Sequence, residues 1–165
     1  MSLSLKAGSP DALTEVLNSL RLQGQVFCIS DFSAPWSLDL LPSQFAHFHV
    51  IERGGGWLRV KGEKKAVALA SGDLVVLPHG QGHFIGDHPK TPPLPMDEFW
   101  RLVDNQRIVR YGGEGAETRL ICGAFQFDDA TDNPLLKLLP PVIHIRGYQG
   151  RSEEWLEKHL AAFRG

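Results

Sequence analysis

Residues 72–87 read GDLVVLPHGQGHFIGD, from Gly72 to Asp87. The apolar run from Leu74 to Leu77 has the length of a strand, and Pro78, which cannot donate to a ladder, stops it. Gly80 and Gly82 supply the bend that follows, and His83 stands where the chain leaves it. A strand feeding a tight turn that presents an imidazole is the pattern from which the other segments are read.

On either side the chain keeps the same grain. Val26 to Phe32, Ser37 to Leu41 and Phe45 to Glu52 are strand-length segments bounded by Pro, Ser or Gly. Trp57 to Val60 follows Gly54-Gly55-Gly56, which has no helix after it and reads as a hairpin turn, and Ala66 to Ala70 follows the polar Lys61–Lys65 turn. Ile108 to Tyr111, Thr118 to Phe127 and Val142 to Ile145 are further strands. Short strands parted by glycine turns predict a mainly β chain, an antiparallel sandwich or barrel.

Helices are expected at the two ends. The first runs over 9–24, with Ser9 as N-cap, Pro10 in the first turn and Gly24 as the stop. The last runs over 152–164, with Glu153 and Glu154 where the helix dipole favours anions and with Trp155, Leu156, His159, Leu160 and Phe163 along one stripe. Asp97 to Val103 reads as a short helix capped by Asp97, and Pro134 to Leu139 as one or two helical turns. Residues 87–95 hold four prolines and read as a loop.

The 165 residues suffice for one domain with a sizeable core and are too few for two ordinary ones. Seventeen Lys and Arg against nineteen Asp and Glu leave a net charge of −2, with no basic stripe for a phosphate backbone. The N-terminus lacks the apolar core of a signal peptide and no run could span a bilayer, so a cytoplasmic chain is expected. Cys28 and Cys122 lie far apart in apolar, strand-like stretches and read as reduced, buried small hydrophobes.

The chemistry-bearing side chains are histidines. His47 and His49 are two apart in an expected strand and share a face with Phe45 and Ile51. If that face is interior, His83 at the mouth of the neighbouring turn could join them. Three neutral imidazoles with an open position suit zinc, nickel or iron(II), and they equally suit hydrogen bonds to a polar ligand without a metal. The plainer alternative is a set of satisfied core or surface histidines. His79 and His88 fall in polar turns, His144 in an apolar strand as a core histidine, and His159 on the terminal stripe. There is no G-x-S-x-G, no phosphate-cradling loop and no H-E-x-x-H, and Asp128, Asp129 and Asp132 read as a solvated turn.

Gly72, Pro78, Gly80, His83 and Asp87 resemble the second motif of the cupin superfamily, G-x5-P-x-G-x2-H-x3-N, with Asp87 in place of Asn. The resemblance implies an antiparallel double-stranded β-helix, the cupin jelly-roll barrel, here spanning about 26–145. The first cupin motif departs from the pattern. With Gly54 as its last glycine, His47 takes the place of the motif glutamate, and no histidines stand upstream around 40–43. Across about 11–155, segments such as FSAPW, AHFHVIERGGGWLRV, RLICGAFQFD and NPLLKLLPPVIHIRG are similar to the N-terminal domain of a set of AraC-type transcriptional regulators, with Asn133 where a histidine is common.

That resemblance implies a domain that senses a small-molecule effector, or forms a homodimer, or both. DNA would be bound only by a C-terminal pair of helix-turn-helix units not in this chain. The expected ligand contacts are His47, His49, Trp57 and His83, and the expected metal ligands, if a divalent ion is bound, are His47, His49 and His83. The stripe of Trp155, Leu160 and Phe163 would pair two copies. The alternative is a stand-alone metal cupin enzyme, a dioxygenase or isomerase, which the missing motif histidines and glutamate disfavour.

Overall fold

The computed structural model describes residues 2–5, 22–127 and 137–146. These form eleven strands and one helix: β1 (Ser2–Leu5), β2 (Leu22–Ser33), β3 (Ser37–Leu40), β4 (Ala46–Arg53), β5 (Gly55–Val60), β6 (Val67–Ala70), β7 (Leu74–Leu77), β8 (His83–Gly86), α1 (Met96–Leu102), β9 (Ile108–Gly112), β10 (Glu117–Phe127) and β11 (Val142–Ile145). A seven-stranded sheet runs in the order β1-β11-β7-β4-β10-β2-β9, and a four-stranded sheet in the order β3-β8-β5-β6. The expectation of a mainly β fold with two layers holds, and the two sheets are not closed into one barrel.

The inner faces of the sheets make the core. Leu38, Leu58, Val60, Leu69 and Ile85 of the smaller sheet pack with Cys28, Phe32, Ile51, Val75, Leu77, Leu120 and Cys122 of the larger one. Each such side chain removed from water contributes about 1.5–3 kcal/mol before entropy is counted. The larger sheet is buried on its other face as well: Phe48, Val50, Leu74, Val76, Ile121, Ile143 and Ile145 are all below 9% exposed. The unbroken apolar run of β7 is the sequence mark of a strand covered on both sides, and β4 is likewise buried from Ala46 to Ile51.

Several expectations are corrected. The glycines at 54–56 do not close a hairpin, because β4 pairs with β10 and β7 while β5 pairs with β6 and β8. Gly54 is instead the corner where the chain changes sheet. Its φ is +86°, and a Cβ there would sit 2.3 Å from the Glu117 carbonyl oxygen, so only glycine fits. The sheets are not purely antiparallel, since β1 runs parallel to β11 and β9 parallel to β2. Residues 83–86, to which the sequence assigned no element, form β8 because β3 and β5 pair with them from either side.

The helix expected over 9–24 loses its end to β2, which begins at Leu22; its remainder, and the helix over 152–164, lie outside the described residues. So do Asp128, Asp129, Asn133 and His159. The short helix α1 is present, but its N-cap position is Pro95 with no side-chain cap, and Asp97 sits inside the first turn with Glu98. Phe99 is the α1 residue that reaches the core.

Candidate functional site

β4 is held between β10 and β7, and its period of two turns His47 and His49 to one face. Directly opposite His49 stand Cys122 on β10 and Val75 on β7. His83 opens β8 in the other sheet, opposite Val60 and Leu40, and faces the same interior. The turn leading to it depends on Gly80, whose φ is +63° and where a Cβ would lie 2.1 Å from the Ser43 carbonyl oxygen. The bend thus delivers an imidazole from one sheet against two from the other.

The three rings meet. His83 and His49 are fully or almost fully buried at 0% and 2% exposure, and His47 is 8% exposed. Ring centroids are 5.0 Å apart for His49 and His83 and 5.3 Å apart for His47 and His83, both edge-on. Nε2 of His49 lies 2.7 Å from Nε2 of His83, Nδ1 of His83 lies 2.8 Å from the Gln81 carbonyl oxygen, and Nδ1 of His49 lies 3.0 Å from Sγ of Cys122.

These contacts fix the proton positions. A carbonyl oxygen only accepts, so Nδ1 of His83 carries a proton and donates to Gln81. Burial holds the His83 ring down to about 4 despite the help of that carbonyl, so at neutral pH its Nε2 is bare and accepts. His49 then donates from Nε2, leaving its Nδ1 to accept from the Cys122 thiol. His49 is held well below its ordinary value, by burial first and then by its two histidine neighbours. Cys122 is pushed well above the usual thiol range, by its contact with Cys28 first and by burial. The result is an uncharged, one-directional chain from Cys122 through His49 and His83 to Gln81.

His47 stands beside this chain. Burial lowers its ring below the ordinary value, and among the described residues no hydrogen bond reaches its nitrogens. Four buried side-chain atoms lack a hydrogen-bond partner among the described residues: Nε1 of Trp36, Oε1 of Gln81, and Oδ1 of Asp39 and Nε of Arg119, the last two being held in ion pairs with Lys61 and Glu52. Trp36 lies in the core against Phe32, at 4.8 Å between ring centroids. Sequence reading missed Cys122 and Trp36. Trp36 has no local signal, and Cys122, read only as a buried small hydrophobe, meets His49 through the pairing of distant strands.

Trp57 is not brought to the histidines. It is 38% exposed, on the opposite side of β5 from the buried Leu58 and Val60. The three histidines do converge, and the Nε2 atoms of His49 and His83 face each other. The nitrogens that His49 and His83 would offer a metal are bonded to each other, and among the described residues no group of three or more His, Cys, Asp or Glu is placed to hold one. A metal would have to part that pair.

The other histidines have separate partners. His144 is buried and donates from Nε2 to Asp73 at 2.8 Å, and the Asp73 carboxylate also accepts from the Ala70 amide. His79 donates to the Leu139 carbonyl, and His88 accepts from the Lys90 amide. Asp87, the last residue of the glycine-proline motif, accepts from the Trp36 amide at 3.3 Å and from the Thr91 hydroxyl at 2.6 Å. The proline-rich segment is further pinned by Leu94, which is buried and bridges Leu38. A groove of about 480 Å³ at the far rim is lined by Asp31, Arg53, Arg110, Tyr111, Glu117 and Thr118 among others, and none of its lining residues is a histidine. Its central charges are already paired, Asp31 with Arg53 and Arg119. No helix of the described residues is long and apolar enough to cross a membrane.

Comparison with known proteins places this geometry in context. A family model described as Cupin matches residues 11–164. An AraC-like transcription regulator of Streptomyces lividans is 24% identical over 135 residues, covering 82% of this chain and 44% of that protein. The HTH-type transcriptional regulator AlkR of Acinetobacter baylyi is 24% identical over 154 residues, covering 91% of this chain and 50% of the relative. The chain spans about half the length of the curated relatives it matches. Among solved structures, the protein YhaK from Escherichia coli is similar with a TM-score of 0.41 and 10% identity, covering 74% of this chain and 40% of that one.

Proposed function

Because the chain belongs to the cupin family, we propose that it is the effector-sensing and dimerisation domain of an AraC-type transcriptional regulator. It binds a small molecule between its sheets against His47, His49 and His83, and it works as a homodimer in the cytoplasm. DNA is bound by a helix-turn-helix part outside these 165 residues. The observation that carries this reading is the buried imidazole cluster, in which one chain of hydrogen bonds is closed and His47 is left with nitrogens to offer.

The chemistry favours sensing over catalysis. Every lone pair of His49 and His83 is used internally, so neither ring is free to take a proton from a substrate. The histidine cluster holds no net charge, and an ion placed against it without a partner would be strongly penalised. The effector is therefore a compact, uncharged molecule with an apolar body and a hydrogen-bonding group that meets His47. It shifts the domain by binding one arrangement of the interior more tightly than another.

Three measurements test this. Thermal denaturation of the purified chain against a panel of small uncharged organic molecules should yield stabilising compounds whose effect is lost in His47→Ala. A transition metal held at one per chain, and released in both His47→Ala and His83→Ala, would overturn the reading in favour of a metal enzyme. Reading the gene beyond Gly165 should reveal two helix-turn-helix units.

A further inference from the structure

We propose that Cys28 and Cys122 join in a reversible disulfide across the β2–β10 ladder, an oxidant-sensitive modification site whose state is read by the His49–His83 chain. The two cysteines are direct partners in the antiparallel register, Cys122 opposite Cys28. Directly opposed residues in such a pair have Cα atoms about 4.5–5.5 Å apart. That range lies within the roughly 4.4–6.8 Å that a disulfide spans. Both thiols are free, buried and in the same core cluster.

The ladder is adjustable at this point. The register shifts between Cys122 and Gly123, where Phe27 is passed over on the β2 side next to Cys28. A bulge bends and twists its strand locally, which supplies the small movement needed to bring two sulfurs into bonding geometry. It also interrupts the ladder beside Cys28, which is where a small oxidant would enter.

With hydrogen peroxide as the oxidant, the thiolate of one cysteine attacks a peroxide oxygen. An S–O bond forms, the O–O bond breaks and hydroxide leaves, giving a sulfenic acid. The second sulfur, giving up its proton, attacks the first; the S–S bond forms, the S–O bond breaks and water leaves. Two thiols and one peroxide become one disulfide and two waters, each sulfur losing one electron and each peroxide oxygen gaining one.

The bond has a consequence beyond the two cysteines. Sγ of Cys122 is the donor that engages Nδ1 of His49, and a disulfide sulfur carries no proton to donate. Oxidation therefore strips the first donor from the chain and leaves Nδ1 of His49 without its partner, a change that His83 feels through its contact with His49. This rests on the ladder and the ring contacts alone, and it holds whatever the interior binds.

The test uses the full 165-residue chain. After graded hydrogen peroxide treatment and unfolding, both thiols should disappear together. The mass should fall by two hydrogens with no covalent dimer, and dithiothreitol should restore both thiols. Nitrogen NMR of the imidazoles should show His49 and His83 changing with oxidation and returning on reduction, while His144, held by Asp73, stays put. The proposal is overturned by oxygen adducts at one cysteine with the other still free, by cross-linked dimers, by thiols that resist peroxide until the chain unfolds, or by a disulfide that leaves the His49 and His83 resonances unmoved.

Discussion

His83 donates from Nδ1 to the Gln81 carbonyl, and that contact sets the direction of every later hydrogen bond in the chain of rings. It also makes the protein's stability sensitive to acid. The folded ring is held near 4 against an ordinary value of 6.5. Below about 6.5 the unfolded chain takes up a proton that the folded ring refuses. Stability is therefore present above that pH and is lost as pH falls toward 4, where the folded ring begins to protonate and the loss levels off. The shift corresponds to roughly 3 kcal/mol from His83, and His49 adds to it in the same direction. Urea denaturation at a series of pH values should show this decline, and His83→Phe should flatten part of it. The pairing of His47 with His49 on one face was legible from their spacing alone. That His49 and His83 would touch was not, because nothing local tells two sheets how closely to pack.

At the scale of elements, the glycine-proline turn and its terminal aspartate do separate work. Gly80→Ala forces a side chain into a left-handed backbone and against the Ser43 and Phe45 carbonyls. It should cost about 1–3 kcal/mol or more in chemical denaturation. Asp87 ties the proline-rich segment to the amide of Trp36 and the hydroxyl of Thr91. Asp87→Ala should cost about 1–2 kcal/mol and make residues 88–93 the first site of proteolytic nicking, whereas Asp87→Asn, which keeps an accepting oxygen, should stay close to the parent. Strands β2 to β7, β9, β10 and β11 were readable from short runs bounded by turn residues. β8 was not, because a four-residue run between glycines looks like the turn it leaves. Its strand character comes from β3 and β5 on either side. The parallel pairings of β1 and β9 were equally hidden, since they join segments remote in the chain.

For the whole molecule, family and layer architecture were legible because motif and strand spacing agree with each other. The expected pairing surface, the stripe of Trp155, Leu160 and Phe163, lies outside the described residues. If it pairs two copies, Leu160→Glu combined with Phe163→Glu should convert a dimer to a monomer in sedimentation, with far-UV circular dichroism unchanged.

One row of the larger sheet runs His144, Val75, His49, Cys122, Cys28 across five neighbouring strands. Four of its members can exchange protons or electrons; Val75, 1% exposed, cannot. That isopropyl group is an insulator set into a conductor. It leaves the Asp73–His144 contact and the cysteine–histidine chain as two separate circuits, so the outer one can hold β11 against β7 while the inner one changes state.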